Sequence, residues 1–219
     1  MTRRTPRRAS RAAERVGPGV GLLGGTFDPP HFGHLALAEW ARVELALSTV
    51  WFVPAGVPPH KRGARRSPAR HRLAMTRLAV RGNRAFRVST LETERAGPSY
   101  TADTVRAFAA AHPRARLHLL MGADMFATFR GWREPDAIAL AAVLVVAARP
   151  GTRVPMRSTR GVVWLANPGL EVSSTALRAR AHAGRSLRYL VPDAVARYAE
   201  RHGLYAARSA RAKPAKAAT

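Results

Sequence analysis

The segment Gly24-Gly-Thr-Phe-Asp-Pro-Pro-His-Phe-Gly-His34 holds the densest chemistry in this chain. It follows a short apolar run and opens an amphipathic one, so it reads as a turn from a strand into a helix. Gly24 and Gly25 let the main chain approach a ligand closely. The helix start beyond them offers unpaired N–H groups and the positive end of the helix dipole, a seat for phosphate. His31 and His34 stand three apart at that start, so both rings can face one side. Gly33 between them leaves room for a nucleotide. Such a pair suits phosphoryl or nucleotidyl transfer, which depends on positioning and charge stabilisation more than on covalent work. Two other readings stand beside this one. A zinc pair is the first, although no third ligand follows at helical spacing, and no residue is assigned to a metal. Two histidines that merely satisfy the turn are the second. The glycine spacing is not GxGxxG, so a bound NAD is not expected.

The elements that must position these residues alternate along the chain. Strands are expected at Val20–Gly24, Val50–Pro54, Phe86–Leu91, Leu117–Met121, Val143–Ala147 and Val162–Leu165. Helices are expected at Gly33–Leu47, Pro68–Arg81, Thr101–Ala111, Asp136–Ala141, Ser174–Ala183 and Pro192–His202. Strands alternating with helices predict an α/β, Rossmann-like, doubly wound parallel sheet in a single domain. Runs such as Val143-Leu-Val-Val-Ala are continuously apolar, as strands buried on both faces are. Residues 149–161 read as a basic loop. A single folded domain is expected over 19–205, between disordered basic tails at 1–18 and 206–219.

Several later segments fall at ends of these elements. Phe52-Val-Pro-Ala-Gly-Val-Pro-Pro-His-Lys61 follows the second strand, its prolines stiffening a loop that carries a point charge, Lys61. Ser99-Tyr-Thr-Ala-Asp-Thr104 opens a helix, and plain capping would explain it too. Gly122-Ala-Asp124, with Trp132 eight residues later, follows the fourth strand, where open α/β sheets bind ligands. Ser173-Ser-Thr-Ala-Leu-Arg178 places hydroxyls and an arginine fork at another helix start, a phosphate seat that N-capping by Ser173 or Ser174 could equally account for. His71-Arg72, at the start of the third expected element after the turn, reads as solvated surface charge.

Together these stretches resemble the nicotinate-nucleotide adenylyltransferases of the HxGH nucleotidyltransferase superfamily, from about Gly19 to Tyr205. His31-Phe-Gly-His34 is the HxGH element. The others resemble the FxPxxxPPHK, SYTxxT, GxD…W and ISSTxIR motifs, the last with Val172 and Leu177 in place of isoleucines. The Tyr189…Leu204-Tyr205 ending resembles the family's C-terminal helix and suggests packing. The resemblance implies transfer of the adenylyl group of ATP to nicotinate mononucleotide, giving deamido-NAD and pyrophosphate. It implies His31, His34 and Arg178 as catalytic residues. ATP would be bound by Gly24, Gly25, Thr26, Phe27, His31, His34, Ser173, Ser174, Thr175 and Arg178. Nicotinate mononucleotide would be bound by Asp28, Lys61, Thr101, Asp124, Trp132 and Arg133, with the Trp stacked on the pyridine and backbone N–H groups at Thr101 and Arg133 on its carboxylate. Mg²⁺ would accompany ATP without an assigned protein ligand. A pantetheine-phosphate adenylyltransferase-like enzyme is the nearest alternative, but those chains lack the PPHK and GxD…W segments.

Composition bounds the partners. The 219 residues include no cysteine, which excludes a disulfide framework and a thiolate nucleophile and fits a reducing, cytoplasmic setting. The longest apolar run, Ala137 to Ala148, is too short to span a bilayer, so no membrane partner is expected. Net charge is +24, of which nine lie in the two terminal segments. A basic nucleic-acid-binding protein is the alternative from another class, though nothing but charge supports it and aromatics are only 7%. A positive field would also draw in ATP. A homo-oligomer is left open.

Overall fold

The computed structural model describes residues 17–57, 66–148, 161–166 and 169–206. Lys61, most of the basic loop at 149–161, and residues 1–16 and 207–219 of the expected tails lie outside them. Each expected strand segment contains a strand: β1 (Gly17–Gly25), β2 (Thr49–Pro54), β3 (Phe86–Val88), β4 (Ala115–Gly122), β5 (Val143–Ala148) and β6 (Val162–Ala166). All pairings are parallel, in the order β3-β2-β1-β4-β5-β6. The helices are α1 (Phe32–Glu44), α2 (Ala69–Val80), α3 (Leu91–Glu94), α4 (Thr101–Ala111), α5 (Ala123–Ala127), α6 (Pro135–Ala141), α7 (Ser174–His182) and α8 (Asp193–Arg201). This is the expected doubly wound α/β sheet. Strand order reverses between β1 and β4, and open α/β sheets bind ligands outside the carboxyl ends of the strands at such a point.

Alternation along the central strands explains why both faces are covered. Leu117, Leu119 and Met121 of β4 and Leu144 and Val146 of β5 join one buried cluster with α4 and α6. Leu120 and Val145, on the opposite face, join Ala38 and Ala41 of α1. A third cluster packs α2, α7 and α8 together through Met75, Leu177, Val191 and Val195. That cluster brings α8, the last helix among the described residues, beside the first turn.

Several boundaries differ from the periodic reading. β1 begins at Gly17, inside the expected tail, because Gly17 pairs with Ala115 through backbone alone. β3 stops at Val88 instead of reaching Leu91. Ser89 Oγ accepts the N–H of Leu91 (3.2 Å) and turns the chain into the short α3. α1 ends at Glu44, not Leu47. Ala46 adopts φ 49°, and the N–H of Leu47 donates to Arg42 O, a left-handed stop with the buried Leu47 closing it. The apolar run Ala137–Ala148 is split between α6 and β5. α5 and a 3₁₀ turn at Phe129–Gly131 escape the periodic reading, being too short for a hydrophobic period to show.

Candidate active site

The β1–α1 turn forms because its own side chains fill the space its glycines leave. Phe27 is buried at φ 50°, a left-handed conformation costly for an aromatic residue. Its ring packs edge-on against His34 (5.0 Å between centroids) and against Phe52 (5.7 Å). A Cβ on Gly25 would sit 3.0 Å from that ring, so Gly25 makes room for Phe27 rather than for a ligand. A Cβ on Gly24 would meet nothing within 4 Å, which leaves an open approach to the main chain there. Gly33 serves a different purpose from the one expected of it. Its missing Cβ is replaced by the His31 ring, whose Nδ1 would lie 3.0 Å from it. Glycine in the third HxGH position lets His31 fold back against its own helix.

The two imidazoles are stacked, with centroids 3.7 Å apart and planes at 28°. His31 caps α1, and its backbone N–H donates to His34 Nδ1 (3.2 Å). His34 Nδ1 is therefore an acceptor, so the proton of the neutral ring sits on Nε2, a donor directed elsewhere. Burial lowers the pKa of His31 to about 4. His34 lies deep within the protein but keeps part of its surface open; burial, then repulsion from His31, holds its pKa well below the usual value. His31 Nδ1 is buried without a hydrogen-bond partner. Both rings are thus uncharged near neutrality until an anion arrives.

Expected unpaired N–H groups at the α1 start are partly taken. The N–H of Phe32 donates to Leu190 O (3.2 Å) and that of His34 to His31 O (3.0 Å). The start of α7 is the more open seat. Ser173 caps that helix, its Oγ accepting from Ala176 N–H (3.2 Å). Ser174 and Thr175 occupy the first turn, where no i−4 carbonyl is available to their N–H groups. Ser174 Oγ–H donates to Pro29 O (2.9 Å), so the hydroxyl expected to grip ATP tethers α7 to the histidine turn. Arg178 donates from one terminal nitrogen to Asp28 O (2.9 Å) and from the other to Thr175 Oγ1 (3.1 Å). A guanidinium has five N–H donors, so it keeps capacity for a phosphate. The Asp28–Pro29 peptide bond is cis.

Asp28, expected against the pyridine nucleotide, has no exposed surface. Its Oδ1 accepts from Tyr205 Oη–H (2.6 Å) and its Oδ2 from Ser67 N–H (3.0 Å). Both carboxylate oxygens are engaged inside the protein, so it braces the turn rather than touching a substrate. Arg72, read from sequence as solvated, is 2% exposed. It donates to Thr26 O, Gly56 O and Ser67 O, each at 3.0 Å, and joins three loops under the turn. Its signal was periodic: residues 72, 75, 76 and 79 form one buried helical stripe. Ser67 was missed, and Tyr205 read only as packing, because their partner lies far away in sequence.

Across the crevice, Gly122 ends β4 and Asp124 stands exposed in the first turn of α5. Asp124 Oδ1 would lie 2.6 Å from a Cβ on Gly122, which explains the glycine of GxD. Trp132 is half-buried, edge-on to Phe129 (5.5 Å), with Nε1–H directed at Thr128 Oγ1 (3.4 Å). The Arg133 guanidinium lies 4.7 Å from the Tyr100 ring centre. That contact brings the start of α4, whose first residue is Thr101, to Arg133. Ser99 does not cap α4; Tyr100 does. Ser99 Oγ–H donates to Glu92 O (3.4 Å), and Thr104 Oγ1–H to the buried Glu92 Oε1 (2.7 Å), so two residues of the SYTxxT segment hold α3 to α4.

Residues 22–180 match the family described as cytidylyltransferase-like. A probable nicotinate-nucleotide adenylyltransferase of Salinibacter ruber is 44% identical, over 85% of this chain and 97% of its own. One from Roseiflexus sp. is also 44% identical over the same shares. Among solved structures, the Plasmodium falciparum nicotinic acid mononucleotide adenylyltransferase complexed with NaAD superposes with a TM-score of 0.73. It covers 86% of this chain and 97% of that one at 15% identity, a likeness of fold.

Proposed function

The chain belongs to the cytidylyltransferase-like family and within it to the nicotinate-nucleotide adenylyltransferases, and we propose how its residues divide that family's reaction. It transfers the adenylyl group of ATP to nicotinate mononucleotide, releasing pyrophosphate. A phosphate oxygen of the mononucleotide attacks the α-phosphorus in line. The bond from that phosphorus to the bridging oxygen breaks, and its electron pair leaves with pyrophosphate. No enzyme nucleophile takes part.

ATP would lie along the open main chain at Gly24, its phosphates between the α1 and α7 starts. His34 Nε2–H, the Ser174 and Thr175 N–H groups and the remaining Arg178 donors would meet the charge that builds on the phosphate oxygens. His31, stacked on His34, would fix that ring and share any proton it gains. Thr26, Phe27 and Gly25 shape the turn. Ser173 and Thr175 each keep a hydroxyl proton for the leaving group. Opposite them, Trp132 would stack on the pyridine, while N–H groups of Thr101 and Arg133 receive its carboxylate; Asp124 and Lys61 would complete that half. The reaction runs with a divalent cation, proposed as Mg²⁺ carried in by ATP. Among the described residues no three His, Asp or Glu side chains gather to hold a metal, so its ligands would be phosphate oxygens and water. No described helix is long and apolar enough to cross a membrane.

The observation that carries this reading is convergence. Residues 145 and 150 positions apart, Ser174 with Pro29 and Arg178 with Asp28, meet directly under the histidine turn. Pyrophosphate release from ATP, measured with nicotinate and then nicotinamide mononucleotide, tests it. Release with the nicotinate form is expected; no release with either would overturn the assignment.

A further inference from the structure

Asp28 is the hub through which distant segments reach the catalytic turn. Its carbonyl receives Arg178, the next carbonyl receives Ser174, and its carboxylate receives Ser67 N–H and Tyr205 Oη–H. The carboxylate has no exposed surface, so water cannot replace a lost donor. Tyr205 follows α8 and closes a hydrogen bond across 177 positions. It is held at φ 69°, a conformation unfavourable for an aromatic residue that persists only where its surroundings over-determine it. Its hydroxyl also lies 3.8 Å from Met75 Sδ. Packing alone would be met equally well by phenylalanine.

We propose that Tyr205 is a positioning residue for Arg178: its hydroxyl fixes the Asp28 carboxylate, and the Asp28 carbonyl in turn orients the guanidinium toward the ATP phosphates. The inference rests on the adenylyl-transfer assignment. Without the hydroxyl, Asp28 Oδ1 is left without its donor in a site with no exposed surface, and a main-chain shift of the turn to relieve it moves the carbonyl that orients Arg178.

Tyr205→Phe tests this, with folding followed by thermal melting. Turnover should fall about tenfold or more, because a misplacement on the order of 1 Å costs about a hundredfold. KM for nicotinate mononucleotide should stay within about twofold of wild type, since uniform binding of that substrate is untouched. The distinguishing measurement is a double-mutant cycle with Arg178→Ala. In that background Tyr205→Phe should cost nothing further, whereas a merely structural role would lower both backgrounds equally. Equal losses, or turnover unchanged in Tyr205→Phe, overturn the proposal. Should Tyr205→Phe fail to fold, Asp28→Ala removes the acceptor of the same bond and must show the same coupling; wild-type turnover there overturns it as well. ATP affinity by calorimetry reads the cycle without turnover. A wild-type protein that binds ATP with this coupling but makes no product would sink the assigned reaction and leave the positioning role standing.

Discussion

The His31–His34 pair is held neutral in the ligand-free fold, and that fixes a pH dependence. An unfolded histidine titrates near about 6.5, whereas His31 in the fold titrates at about 4. As pH falls, the unfolded chain takes the proton first. Stability that is fully present above about pH 6.5 is therefore lost on the way down to about pH 4, on the order of 3 kcal/mol for this one ring. A bound triphosphate reverses the local field and raises both pKa values. ATP binding should then take up protons near about pH 6. Calorimetry in two buffers of different ionisation enthalpy should show that uptake in the wild type and its loss in His31→Ala; binding without uptake would contradict the charge-stabilising role. Much of this was legible: histidine types, their spacing and a helix start are local facts. What Gly33, Asp28 and Arg72 do was not. The first depends on how the His31 ring folds back, the others on partners that only the tertiary fold brings near.

At the next scale, the proposed substrate selectivity falls on helix starts. The α4 start and the turn before α6 are joined by Arg133 on Tyr100 and by Arg106, which bridges Asp103 and Glu134. These pairs are largely solvent-exposed and add little stability, but they hold the segment after Trp132 to the α4 start. Trp132→Ala should raise KM for nicotinate mononucleotide about tenfold or more, a loss typical of removing a stacking aromatic. KM for ATP should change little. Steady-state kinetics with each substrate varied will decide; equal weakening of both would remove the stacking role. Long elements were legible because four or more strand residues or three helical turns show a period. Ser89 turning the chain early, and the short turn that carries Asp124, leave no period to read.

On the scale of the whole molecule, the sheet matters because its order reverses between β1 and β4, which sets the turns that follow these two adjacent strands side by side. Alternating strand and helix patterns announced that architecture. They did not announce that the third cluster would bring α7 and α8 back beneath the first turn, since such packing joins the two ends of the described chain. The net charge of +24 is compatible with drawing in a polyanion and carries no specificity of its own. The most direct measurement is turnover of His34→Ala at saturating substrates, with its melting temperature recorded alongside. Loss of about a hundredfold or more with the fold intact is expected, the scale of removing one preorganised donor to a developing oxyanion. Turnover near that of the wild type would mean that the imidazoles and the α7 start do not act on a common triphosphate.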